Sequence, residues 1–196
     1  MKTSTILLLG TLFRADGLST SITRFSAEVD YDRLFDESNF PIKPVDLVNR
    51  AKEVLGSQIG IGTKDGGNCL DDNFEFCAAV VGPIKKDAYL AALGNFQLED
   101  SFEIMQNFFG FTVDPLQPNR VHFFSRQTAT FNGQPFLGKE SDGRLLKLPP
   151  QALHLDFNEE GKVKEFGFYT VDRRQGNTGM YNLFFCYIQH SFLITN

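Results

Sequence analysis

An α+β domain is what this sequence predicts, on three observations. Two helical patterns occupy the first half. Four β-like runs occupy the second, and tight Pro/Gly turns between them permit antiparallel pairing. Helices that precede strands, instead of alternating with them, give α+β and not a parallel α/β sheet. At 196 residues the chain is sized for one domain with tails. A 42% hydrophobic and 22% charged composition can bury a sizeable core. With 21 Phe and no Trp, that core or pocket is built largely from phenylalanine.

The first helix lies in "YDRLFDESNFPIKPVDLVNRAKEVLGS". Pro44 suits its N-terminal turn, Val45, Val48, Ala51, Val54 and Leu55 recur at helical spacing, and Gly56 stops the pattern. "QIGIGTKDGGNC" is a glycine-rich loop. "NFEFCAAVV" reads as a strand that Gly82-Pro83 ends, turning the chain into the helix "KKDAYLAALGNF", itself stopped by Gly94. "FFGFTVDP" and "NRVHFFSRQTATF" pair through Leu116-Gln117-Pro118-Asn119, and "PPQALHLDFN" and "KVKEFGFYTVD" through Glu159-Glu160-Gly161.

Both ends differ from this body. Residues 1–27 hold nine Ser/Thr, three basic residues and one acid, with the apolar run Ile6 to Leu9, which is transit- or signal-peptide composition. Residues 28–43 read as a linker and 44–179 as the domain. Residues 180–196, "MYNLFFCYIQHSFLITN", contain no Asp, Glu, Lys or Arg. Gly179-Met180-Tyr181 is encoded GGN-ATG-TAY, which can read as an intron donor, so the tail is either translated intron or an apolar terminal segment. A mature transcript uninterrupted through Asn196 would overturn the intron reading. Neither apolar run reaches the roughly 20 residues of a membrane span.

Several function classes fall away. The net charge is -5, of which the leader contributes +2, leaving an acidic body without the clustered basic residues that bind phosphate backbones. Nucleic acid is therefore not an expected partner. Cys69, Cys77 and Cys186 have no metal-like spacing, and the three His residues form no zinc motif, so no metal and no cofactor are expected. "GQPFLGK" resembles a phosphate loop, but Glu140 replaces the magnesium-binding hydroxyl and no helix pattern follows.

Strand parity supplies the candidate site residues. His122, Phe124, Arg126, Thr128 and Thr130 share one face of the longest run; on a curved sheet they line a polar-tipped pocket, or else form a solvated ladder. Ala152, His154 and Asp156 share a face read as solvent-exposed. Phe166, Phe168, Thr170 and Asp172 share another. Asp172, partly buried at the end of an aromatic strand, would have a raised pKa and act as a base; paired with Arg173, Arg174 or Arg126 it would not.

Four of these pieces resemble the SnoaL-like, polyketide-cyclase-like branch of the nuclear-transport-factor-2-like superfamily. "VVGPIKKDAYLAAL" is similar to its strand, Gly-Pro and helix; "TATFNG" resembles its G-T-H-x-G segment; "LPPQ" occupies the place of its pre-strand motif; "FNEEGKVKEFGFYTVD" matches its final hairpin ending in Asp. Some of the pieces also resemble algal SnoaL-like proteins, which suits a plastid leader, the secretory pathway being the alternative. The resemblance implies a cone, a strongly curved antiparallel sheet wrapped on N-terminal helices around a pocket, and a homodimer through the outer sheet face. It implies a small apolar ligand and, for an enzyme, cofactor-independent isomerase or cyclase chemistry on a carbonyl compound. Asp172 would then be the base, Arg126 the substrate or oxyanion partner and His122 or Tyr89 a secondary donor, with Tyr89, Phe124, Thr128, Thr130, Phe166 and Phe168 around the ligand. Phe131 and Ala129 depart from the G-T-H-x-G pattern, which removes one acid–base group. The alternatives are a noncatalytic lipid or pigment carrier and a protein-interaction module.

Overall fold

The computed structural model describes residues 28–78, 81–94, 98–136, 138–172 and 174–178; the expected leader and apolar tail lie outside the described residues. A short helix, α1 (Tyr31–Asp36), is capped by Asp30, whose side chain accepts from the Arg33 N–H at 3.1 Å. α2 (Pro44–Leu55) starts on Pro44 and carries Asp46 in its first turn, both suited to an N-terminus. Its buried stripe is Leu47, Ala51 and Val54, the i, i+4, i+7 spacing of one helical face. Val45, expected in that stripe, sits on the other side and is exposed.

The strands are β1 (Leu70–Ala78), β2 (Val81–Lys85), β3 (Phe102–Met105), β4 (Phe108–Asp114), β5 (Gln117–Ser125), β6 (Thr128–Phe131), β7 (Leu145–Lys147), β8 (Gln151–Phe157) and β9 (Val163–Thr170). Helices α3 (Lys86–Gly94) and α4 (Leu98–Ser101) lie between β2 and β3. A six-stranded sheet has the order β2-β1-β9-β8-β5-β4, and a three-stranded sheet the order β3-β6-β7. The domain is α+β as expected, but the larger sheet is mixed: β1 pairs parallel with β9, and every other pairing is antiparallel.

The smaller sheet continues the larger one. β3 runs into β4, β5 into β6 and β7 into β8, so its strands prolong three neighbours of the main sheet beyond a common break. The break is built locally. Asn107 adopts φ +50° and donates its amide to the Arg126 carbonyl at 3.0 Å, and Leu148 N–H donates to the Gln127 carbonyl at 3.0 Å. Pro149 and Pro150 then remove two ladder donors. The 121–130 run, expected as one strand, is thus two strands interrupted at Arg126-Gln127, and the interruption curves the sheet.

Gly82-Pro83 is also placed differently from the expectation. It lies inside β2, the second strand of a hairpin with β1, and not between a strand and a helix. β2 is the edge of the six-stranded sheet, the position at which a strand tolerates proline.

α2 packs on β4 and β5, and α3 on β1 and β2. Two clusters of buried apolar side chains result: a large one around Phe74, Phe76, Phe123 and Phe157, and a small one of Phe102, Ala129 and Phe131 under the smaller sheet.

Candidate functional site

Between the two clusters lies a cavity of about 950 Å³, at the upper end of the size range of small-molecule sites. The concave faces of both sheets form its floor, through Phe102, Ile104, Phe108, Leu153, Phe166 and Phe168. Tyr89, Leu90 and Leu93 of α3 form one wall. The glycine-rich loop after α2 and the first turn of α4 complete it. The loop's shape depends on its glycines. Gly67 has φ +80°, and a Cβ there would lie 2.6 Å from Leu90 Cδ1, a cavity-lining side chain.

Three glutamines line the cavity, one at each place where the chain crosses between the sheets. They are Gln106 between β3 and β4, Gln127 between β5 and β6, and Gln151 opening β8. Their exposure is graded: Gln106 exposed, Gln127 half-buried, Gln151 4% exposed. The Tyr89 phenol is 3% exposed, and burial pushes its pKa up, so it stays a neutral donor.

Of the nine expected site residues, catalytic and ligand-binding together, Tyr89, Phe166 and Phe168 line the cavity. The other six do not, and the expected pocket wall is corrected accordingly. The parity grouping of β5 holds, but burial selects its opposite face: Val121, Phe123 and Ser125 point inward. His122 faces outward, with Nε2 3.2 Å from Asp114 Oδ2. Phe124 is exposed and stacks on Phe109 at 5.7 Å. Arg126 is exposed and donates to Gln175 Oε1 at 3.1 Å. Thr128 and Thr130 belong to the smaller sheet, where Ala129 and Phe131 take the inner face.

Asp172 is not raised but lowered. The Arg174 guanidinium and backbone N–H hold its carboxyl at about 2, below the ordinary 3.8. Arg174 donates its backbone N–H and Nε to Asp172 Oδ1, each at 3.0 Å, and its Nη2 to Oδ2 at 3.3 Å, and Gln175 Nε2 adds a fourth donor at 3.3 Å. A carboxylate tied in a local turn of this kind is a weak base, and it does not reach the cavity.

The outer face carries a polar network that the sequence reading left in solvent. His154 and Asp156 are 3% and 7% exposed. Arg120 donates to both Asp156 oxygens, at 2.5 and 2.7 Å, and Gln117 Nε2 adds a donor at 2.9 Å. His154 Nε2 lies 2.8 Å from Glu165 Oε1. Burial dominates over that carboxylate and pushes the imidazole below its ordinary 6.5. The unfolded chain therefore takes up this proton first. The contribution of neutral His154 is complete above pH about 6.5 and is lost as pH falls toward the folded-state value. Urea unfolding between pH 7.5 and 5 should show wild type losing stability through this window and His154→Gln losing less. Equal losses would show that another group titrates.

Glu75, Cys77 and Glu165 place donor atoms within 4.8 Å of one another on this outer face. Their carboxylates are already engaged, Glu75 by Lys85 and Glu165 by His154 and Arg120. Cys77 is not an activated nucleophile: burial, then Glu165 and Glu75, push its thiol up. The buried Cys69 thiol is likewise pushed up to about 12.

No protein-family model matches the chain, and no curated protein matches it. Solved structures do. A chain from Jannaschia sp. CCS1, assigned as a SnoaL-like polyketide cyclase, shares 19% identity at a TM-score of 0.48, over 69% of this chain and 90% of that one. One from Xanthomonas campestris, assigned as a polyketide cyclase, shares 15% at 0.47, over 73% and 98%. An LEH-like epoxide hydrolase of M. tuberculosis shares 9% at 0.46, over 65% and 79%. The likeness is one of chain course. The architecture expected from the sequence resemblance, a bent sheet closed by helices around a cavity, is the one described above.

Proposed function

We propose that this domain binds a small, uncharged, largely apolar molecule in the cavity between α3, the glycine-rich loop and the concave sheet. The observation that carries the reading is the lining itself: about 950 Å³ walled by Phe, Leu and Ile with neutral amides and a phenol among them. Among the described residues, the ionisable groups on this lining other than Tyr89 are Lys64, Glu99 and Asp100. Lys64 and Glu99 are paired with each other, and Asp100 is exposed. Acid–base isomerisation or cyclisation needs a base poised inside the site. With Glu99 tied to Lys64 and Asp100 turned to solvent, no carboxylate or imidazole among the described lining residues is held inside the site as such a base, so noncatalytic carriage is favoured over the isomerase or cyclase alternative. An organellar address and a homodimer through the outer sheet face accompany the proposal.

The test uses N-phenyl-1-naphthylamine, an uncharged probe that fluoresces in apolar surroundings. Saturable binding at one probe per chain is expected for wild type. Leu93→Trp, which fills the cavity from the α3 wall, should weaken it about tenfold, or roughly 1.4 kcal/mol. A wild-type chain that binds no probe, or a Leu93→Trp chain that binds it equally well, would overturn the reading.

A further inference from the structure

The cavity holds a buried donor with nothing to donate to. Gln151 is the first residue of β8, and its parity with Leu153 and Leu155 turns it to the concave face. It is 4% exposed, it lines the cavity, and its Nε2 has no hydrogen-bond partner. Ser125, opposite Gln151 in register, donates its hydroxyl to the Gln106 carbonyl at 2.6 Å, and its oxygen, although still able to accept, is not bonded by Gln151 Nε2. Buried amides are nearly always partnered, because losing hydration without a replacement bond is unfavourable. An apolar side chain of similar volume would fit this face among Leu153, Phe166 and Phe168 without that penalty. The unsatisfied N–H therefore points to a group that arrives with the ligand.

The surroundings restrict that group's chemistry. It must be a hydrogen-bond acceptor, since the free group is a donor. It must also be uncharged. Among the described lining residues the single cation is Lys64, which is 44% exposed at its side chain and paired with Glu99, so no free positive charge stands ready to compensate a buried anion. From this, and resting on the reading of the cavity as a ligand site, we propose that Gln151 selects ligands in which an apolar body carries a neutral oxygen acceptor, such as a ketone, ester or ether. Plain hydrocarbons would leave the amide unsatisfied, and carboxylates would bury an uncompensated charge.

Three probes of one ring system separate these classes: 2-acetylnaphthalene, 2-ethylnaphthalene and 2-naphthoate. Each would be titrated against bound N-phenyl-1-naphthylamine on the full chain. Wild type should bind the ketone about tenfold more tightly than the ethyl compound and should bind the carboxylate most weakly. Gln151→Leu should abolish the ketone preference while leaving the ethyl compound bound at least as well. Gln151→Met serves the same purpose should the leucine variant fold poorly. Ligand-free Gln151→Leu should melt no lower than wild type, since it removes an unsatisfied donor; a clear loss would show that water already satisfies the amide and would overturn the inference. Equal binding of ketone and hydrocarbon by wild type, or a preference that survives both substitutions, would also overturn it while leaving the cavity reading intact. Failure of all three probes to displace the dye, with the dye itself unbound, would remove the cavity reading instead.

Discussion

Phe76→Ala is expected to lower stability by about 4 kcal/mol, the upper part of the range for deleting a buried phenylalanine ring. For a domain of this size that corresponds to roughly 8–16 °C in melting temperature. Phe76 is 0% exposed, and its ring lies 5.7 Å from Tyr89, 5.6 Å from Phe166 and 5.8 Å from Phe168. All three partners line the cavity, whereas Phe76 stands behind them. Truncation opens a void at the back of the ligand wall, so the three rings lose their backing and probe affinity should fall without any lost ligand contact. Phe76→Leu keeps most of the volume and should cost about 1 kcal/mol. Thermal unfolding of both variants checks the point; a shift under about 2 °C for the alanine would mean that the wall is not braced this way.

Gly167→Ala is expected to cost about 3 kcal/mol, although it adds one methyl group to a strand. Gly167 lies on β9 between Cys77 of β1 and His154 of β8. A Cβ there would sit 2.3 Å from His154 Cε1 and 2.4 Å from the Cys77 carbonyl oxygen. The imidazole can turn only by giving up its contact with Glu165, and the carbonyl belongs to the neighbouring strand. The parallel β1–β9 pairing must therefore shift. Adding His154→Ala should restore part of the loss and not all of it, because the backbone clash remains. Full recovery in urea unfolding would show that the imidazole alone resists the methyl group.

Much of the fold could be read from local pattern. α2 starts on Pro44 and stops at Gly56, and the β8–β9 hairpin turns at Glu159-Glu160-Gly161, because turn and cap chemistry act within a few residues. Alternation likewise grouped the faces of β5 and β9 correctly. It could not say which face is inside: Thr and Arg beside Phe on β5 suit a pocket wall and a solvated face equally, and the packing of α2 on β4 and β5 decided. The β1–β9 pairing joins distant segments, so no local signal announces it. Asp172 misled for another reason: its two-residue reach to Arg174 was visible, but alternation placed it with Phe166 and Phe168 although the strand ends at Thr170. Gln151 was overlooked although its signal was present. Counting back in twos from Phe157 through Leu155 and Leu153 places one glutamine on an otherwise apolar face.

The position of β9 between β1 and β8 also sets the order in which the chain can become a domain. During synthesis the β1–β2 hairpin leaves the ribosome first, and the parallel partner of Leu70, Val163, follows after roughly 5–20 seconds at ordinary elongation rates. Throughout that interval one whole edge of β1 is an open template, and β8 is another. Among the described residues the last strand made is the one that joins β1 to β8, so this part of the chain cannot finish folding piecemeal from its N-terminal side. Nascent chains halted before and after β9 should differ sharply in protease resistance, and a chaperone that shields strand edges would act on the shorter ones.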